Sequence, residues 1–205
     1  MRLEDYDIQL IVKSDKDILN KRTLPIEIED KKYTFRIFRA KNAIMEFGLF
    51  LHYSSLKDSD GPIERSLNEM IYSSNIIDYE RFFSENFYFE PEFFIDDEEY
   101  TLKIAGEGPI ALKLVMDLTY SEINSSNRPI EKKLRNFIVS TYKHQMNIDP
   151  DLKNKFEKVL ENEKGKEKRK EERLKEVREK ENRIKEIEDE FDFYKPRDKS
   201  RYKIR

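Results

Sequence analysis

From Glu161 to Arg173 the chain contains no hydrophobic residue. No stretch of that composition can enter a core, because an unpaired charge is too costly to remove from water. It must therefore be solvated, as helix or as coil. Asp149-Pro150 lies just upstream. An aspartate can accept from free N–H groups at an N-cap, and proline at the first helical position gives up a donor the helix leaves unpaired anyway. Many Glu–Lys and Glu–Arg neighbours at i,i+4 add a few tenths of a kcal/mol each, against roughly 1 kcal/mol lost at Gly165. The pattern predicts a long charged helix over 149–192. Pro196 ends it, and 193–205 reads as a basic flexible tail.

Two apolar islands interrupt that helix. Leu152, Phe156, Val159 and Leu160 make the first, suited to docking on the rest of the chain or on a partner. Leu174, Val177, Ile184, Ile187 and Phe191 make the second. Their spacing approximates a weak coiled-coil seam, with Glu181 breaking one position.

Charge divides the chain at the same place. Residues 1–150 hold 20 Lys/Arg and 27 Asp/Glu, whereas 151–205 hold 20 basic and 16 acidic residues. The total of -3 thus hides an acidic body and a basic extension. The body, 1–148, is long enough for one packed domain.

Its pattern is mixed. Asp7–Lys13 alternates like a strand. Pro25–Glu29 and Tyr33–Phe38 alternate more cleanly around Asp30, Lys31 and Lys32, which predicts an antiparallel hairpin. Ile44, Phe47, Leu51 and Leu56 suggest a helix between Ala40 and Leu56, although Phe50–Tyr53 could also extend a strand. Pro62 opens a helix carrying Ile63, Leu67, Met70 and Ile71, and a shorter helix follows around Tyr79–Phe83. Phe93–Ile95 and Tyr100–Ile104 flank Asp96–Glu99 as a second hairpin. After Gly106, Gly108 and Pro109, the stripe Ala111, Leu114, Val115 and Leu118 fits a helix. Pro129 opens another, with Ile130, Leu134, Phe137 and Ile138. The fold class is α+β: a small antiparallel sheet or hairpins packed with several helices, followed by the charged helix.

A search for chemistry returns little. There is no cysteine, so disulfides and thiolate catalysis are excluded. His52 and His144 have no nearby second ligand and no HExxH arrangement. Asp58-Ser59-Asp60-Gly61 imitates part of a calcium loop, but Leu56 and Leu67 would occupy two ligand positions. Gly106-Glu107-Gly108-Pro109 lacks the lysine and glycines of a phosphate loop. The acids Glu90, Glu92 and Asp96–Glu99 read as a solvated turn. The aromatics from Tyr79 to Phe94 have only Arg81 among them, so they suit a core or a protein interface better than nucleic acid.

These readings predict a non-catalytic interaction, structural or assembly protein without cofactor or small-molecule substrate. It would engage a protein partner or a second copy of itself through the islands of the helix. The alternative is a nucleic-acid accessory protein using Lys195, Arg197, Lys199, Arg201, Lys203 and Arg205 against phosphate. The start has no signal pattern and no run suits a membrane span, so a cytoplasmic protein is expected. Codon-biased usage rich in Lys, Asn and Ile fits a bacterium or its phage, and hence a host cytoplasm or a virion.

Overall fold

The computed structural model describes residues 2–20, 22–41, 43–73, 90–108 and 110–193, with Glu107 and 188–193 described for backbone only. The helix expected around Tyr79–Phe83, most of the aromatic run and the basic tail fall outside these residues. The chain forms two compact units, Met1–Glu157 and Lys158–Arg205.

In the first unit, helix α1 (Ile8–Ser14) precedes strands β1 (Thr23–Ile28), β2 (Lys31–Lys41) and β3 (Ile44–His52). Helices α2 (Tyr53–Asp58) and α3 (Pro62–Ser73) follow. Strands β4 (Glu92–Ile95), β5 (Glu98–Thr101), β6 (Lys103–Glu107) and β7 (Ala111–Thr119) come next, then α4 (Tyr120–Ser125) and α5 (Pro129–Ile148). The long helix α6 runs Pro150–Phe193 and extends into the second unit. This is the mixed α+β architecture that the pattern predicts, ending in a long helix.

Three local expectations are corrected. Asp7–Lys13 is helical, because Asp7 caps it by accepting from the Gln9 N–H at 2.7 Å, and Ile8, Ile11 and Val12 are buried together. The stretch expected as a helix over Ala40–Leu56 is the end of β2 and all of β3, with only Tyr53–Asp58 helical. The stretch expected as a helix from Ala111 is β7. Ile44, Phe47 and Leu51, like Ala111, Leu114, Val115 and Leu118, can be fitted to a helical period, and the antiparallel pairing of β3 with β7 decides it here.

Both predicted hairpins form, with shorter turns. Glu29-Asp30 and Asp96-Asp97 all have positive φ, between 46° and 65°. Two consecutive left-handed residues give the turn whose twist matches paired strands. Aspartate tolerates this conformation better than most side chains.

The two hairpins are one structural unit used twice. Tyr33 and Tyr100, Tyr53 and Tyr120, and Pro62-Ile63-Glu64 and Pro129-Ile130-Glu131 all recur at a spacing of 67 residues, with no gap between them. The pairing repeats with the same offset. Arg36 opposes Gly48 and Lys103 opposes Val115; each strand pair then slips one residue at the same place, at Phe38 and at Ala105. Leu102, between β5 and β6, donates to the Pro91 carbonyl at 2.9 Å, the counterpart of the Leu24–Phe35 pair.

The halves join along β3 and β7, in a sheet of order β1-β2-β3-β7-β6. Gly48 faces Val115, Ile44 faces Thr119 and His52 faces Ala111. Exchanging the halves leaves that register unchanged, so a pseudo-two-fold axis passes through the Gly48–Val115 pair. The Tyr53 N–H donates to the Ile110 carbonyl and the Tyr120 N–H to the Ala43 carbonyl, both at 3.0 Å. Helix α3 packs on β4 and α5 on β1, so each half's helix reaches the other half's hairpin. One sheet face is covered: Phe35, Phe47, Leu112 and Leu114 on it, and Ile63, Leu67, Ile130 and Leu134 on the helices, are all fully buried.

Gly48 is the tightest point of the seam. A Cβ there would collide with the Leu114 carbonyl and the Val115 Cα, both backbone. Gly48→Ala should therefore cost about 3 kcal/mol by forcing the central strands apart, read as a fall in urea midpoint. An unchanged midpoint would show that the seam has slack.

Candidate functional site

Three places could carry function. The first is a pair of buried clusters, one in each half. Glu64 and Glu131 are each 1% exposed. Each stands at the third position of a proline-opened helix. The Tyr33 hydroxyl donates to Glu64, and the Tyr100 hydroxyl donates to Glu131 at 3.0 Å. Burial is the main cause that raises both tyrosines far above their usual range, so each remains a neutral donor.

The cation comes from a different position in each half. In the first, Lys31 pairs with Glu64 and donates to Ser59. In the second, the position of Lys31 is Glu98 and the position of Gly61 is Arg128. Arg128 reaches Glu131 at 3.3 Å and Glu98 at 3.2 Å. The two cations lie over equivalent rings, Lys31 at 5.2 Å from Tyr33 and Arg128 at 4.2 Å from Tyr100. Satisfied, paired and repeated, these clusters are internal scaffolding that ties helix to hairpin. In the loop resembling part of a calcium site, the Ser59 hydroxyl accepts from the Lys31 ammonium, whose positive charge disfavours a metal ion beside it. Among the described residues no group of three His, Asp or Glu could hold an ion.

The second place is the open face of the sheet. Phe38 and Phe50 meet edge to face at 5.2 Å. The Lys113 ammonium lies 4.5 Å from the Phe38 ring, and the Arg36 guanidinium 5.7 Å from that of Phe50. Beside them lies a depression of about 480 Å³ lined by Arg36, Phe50, His52, Ile110, Ala111 and Lys113, with the backbone of Gly106 and Gly108 at its rim. The bulge in β2 places both Phe38 and Arg39 on this face, a re-aiming that bulges commonly provide.

The third place is α6. Leu152 and Phe156 are buried at 2% and 0%, with Tyr6 edge-on to Phe156 at 5.3 Å. As partner-contact residues they are corrected: they belong to the core of the first unit. Val159 and Leu160 are half-buried. Leu174, Val177, Ile184 and Ile187 are 50%, 50%, 55% and 52% exposed. Phe191 lies on the helix, its side chain outside the described set, as are Lys195, Arg197, Lys199, Arg201, Lys203 and Arg205. The chain matches no family model, and no curated protein or solved structure gives a significant match.

Pattern reading missed Phe38, Phe50, Arg36 and Lys113, because it placed two of their strands in helices. The 67-residue recurrence was the available signal. Laying Met45, Phe47, Leu49 and Leu51 over Leu112, Leu114, Met116 and Leu118 shows a shared period of two. That period puts Phe50 and Lys113 on the opposite face. No helix among the described residues is long and apolar enough to cross a membrane.

Proposed function

We propose that the protein is a non-catalytic assembly or adaptor protein whose long helix α6 docks onto a helical protein partner or a second copy of itself. One observation carries this reading. Leu174, Val177, Ile184 and Ile187 are the large apolar side chains of an otherwise charged stretch, and each keeps about half its surface in water. An isolated exposed leucine needs no explanation, but a sequence of them at near-heptad spacing does. A helix of this composition gains little from its own packing. Its charged flanks supply solubility and i,i+4 support, as in the 2.8 Å pair of Lys166 with Glu163. The seam then supplies the contact. Full burial of such a side chain is worth about 1.5–3 kcal/mol, so four of them support a specific complex.

Light scattering on the intact protein, together with recovery of its complexes from the source cell, tests the reading. Replacing Leu174, Val177, Ile184 and Ile187 by Glu should weaken association more than about a hundredfold. The thermal midpoint of the body should stay within a degree or two, because these side chains lie outside the first unit. A wild-type chain that stays monomeric at high concentration and retains the same associated proteins after the four substitutions would overturn it.

A further inference from the structure

We infer that the open face of the sheet, centred on Phe38, Phe50, Arg36 and Lys113, binds single-stranded nucleic acid. The internal duplication isolates this face from the rest of the body. Positions that hold the fold are kept in both halves: Tyr33 and Tyr100, Glu64 and Glu131, Leu67 and Leu134. On the open face the halves have diverged. Phe38 corresponds to Ala105, Phe50 to Asp117, His52 to Thr119 and Glu46 to Lys113. The fold is thus served at these positions by small, acidic or polar residues in one half. The aromatic pair of the other half is surplus to it, and Phe50 is 47% exposed.

Charge on this face opposes that of the body. At the β1 edge of this face Glu27 stands opposite Lys32. Around the rings Arg36, Arg39, Lys103 and Lys113 are accompanied, among the described residues, by two acids, Glu46 and Asp117. Both of these acids are already paired: Glu46 with Arg39 at 3.2 Å and Lys113 at 3.8 Å, and Asp117 with Lys103 at 3.1 Å. Arg36 has no carboxylate partner among the described residues. Among the described residues, the lining of the depression contains Arg36, His52 and Lys113 and no acid. An anionic ligand is therefore favoured at the place where the aromatic rings are offered.

Geometry chooses between a nucleic acid and an acidic peptide. The rings stand on β2 and β3, with Lys113 on β7, all interior to the sheet order. The backbone groups of those strands are already bonded to their neighbours, so a peptide cannot add as a further strand there. A ligand must bind by its faces. Bases stack on exposed aromatic rings and guanidinium planes while lysines meet the phosphates, which is how sheet surfaces receive single strands. Gly106 at the rim has open space where a Cβ would be, leaving room for a sugar–phosphate backbone.

Fluorescence anisotropy of a labelled ten-residue oligothymidylate with the full chain tests this. Binding should weaken roughly tenfold for each ring removed in Phe38→Ala and Phe50→Ala. Phe38→Leu with Phe50→Leu, which keeps apolar bulk, should lose nearly as much, since stacking and not area is at issue. Arg36→Gln with Lys113→Gln should reduce the slope of log affinity against log salt by roughly 1.4. Folding of every variant is followed by its thermal midpoint. No anisotropy change at low salt would overturn the inference. So would loss confined to a variant with Lys195, Arg197 and Lys199 replaced by Ser, which would place binding in the tail. Tighter binding of an oligoglutamate peptide than of the oligonucleotide would overturn it in favour of acidic protein segments.

Discussion

Lys31→Glu should destabilise the protein by about 3 kcal/mol, and adding Gly61→Arg to the same chain should restore most of that loss. Glu64 is buried with Tyr33 and Lys31 as its partners. Removing the partner of a buried charge is costly because the charge remains and its compensation does not. A second carboxylate beside it adds repulsion. The figure sits at the low end of the usual range because Lys31 is 34% exposed. Rescue is expected because the second half is already built this way, with Glu98 where Lys31 stands and Arg128 where Gly61 stands. Gly61 has no positive φ that would forbid a side chain. The space its Cβ would enter holds the Tyr33 hydroxyl, the Glu64 carboxylate and Lys31 Cδ, side-chain atoms that must give way as their counterparts do around Arg128. Gly61→Arg alone, which adds a second cation without removing the first, should therefore be unfavourable. Urea midpoints of the two single variants and the double variant form a cycle that measures the coupling. If the double variant is no more stable than Lys31→Glu, the two halves are not interchangeable at this cluster.

Much of the fold is legible in the sequence where one residue type does one job. Pro62, Pro129 and Pro150 each open a helix, and both short polar turns close hairpins, because these signals act locally. The errors have a common physical source. Ile44, Phe47 and Leu51, or Ala111, Leu114, Val115 and Leu118, satisfy a helical stripe. The same runs satisfy a central strand buried against helices on one face and against Val115, Gly48 and their neighbours at the seam. Only long-range pairing separates the two. The candidate surface on the sheet was invisible for the same reason, since its residues come from β2, β3 and β7 and share a face only after those strands pair. The four exposed apolar side chains of α6 could be named from sequence because they lie on one helix and need no pairing elsewhere in the chain to be grouped.

The boundary between body and arm is where the sequence pattern and the packing differ most usefully. Asp149-Pro150 is a true helix start, with the Asp149 carboxylate accepting from the Asp151 N–H at 2.9 Å. It is not the edge of the compact unit, which reaches Glu157. A chain ending at residue 148 should therefore fold poorly or not at all, whereas one ending at 160 should melt close to the full-length protein. The shorter chain lacks Leu152 and Phe156, both fully buried, and uncovers the ring of Tyr6. Truncating a buried Phe to Ala costs about 3–5 kcal/mol, and a Leu about 2–5. Together these approach the whole stability of an ordinary domain, about 5–15 kcal/mol. The exposed pair of Lys155 with Asp15, at 3.3 Å, adds little to that loss. Phe156→Ala in the full chain isolates the main term and should lower stability by about 3–5 kcal/mol. Leu174→Ala, on the exposed seam, should change it by less than about 0.5 kcal/mol. Equal stability of the chains ending at 148 and 160 would show that the first two turns of α6 merely rest on the body, and the arm would then begin at the proline.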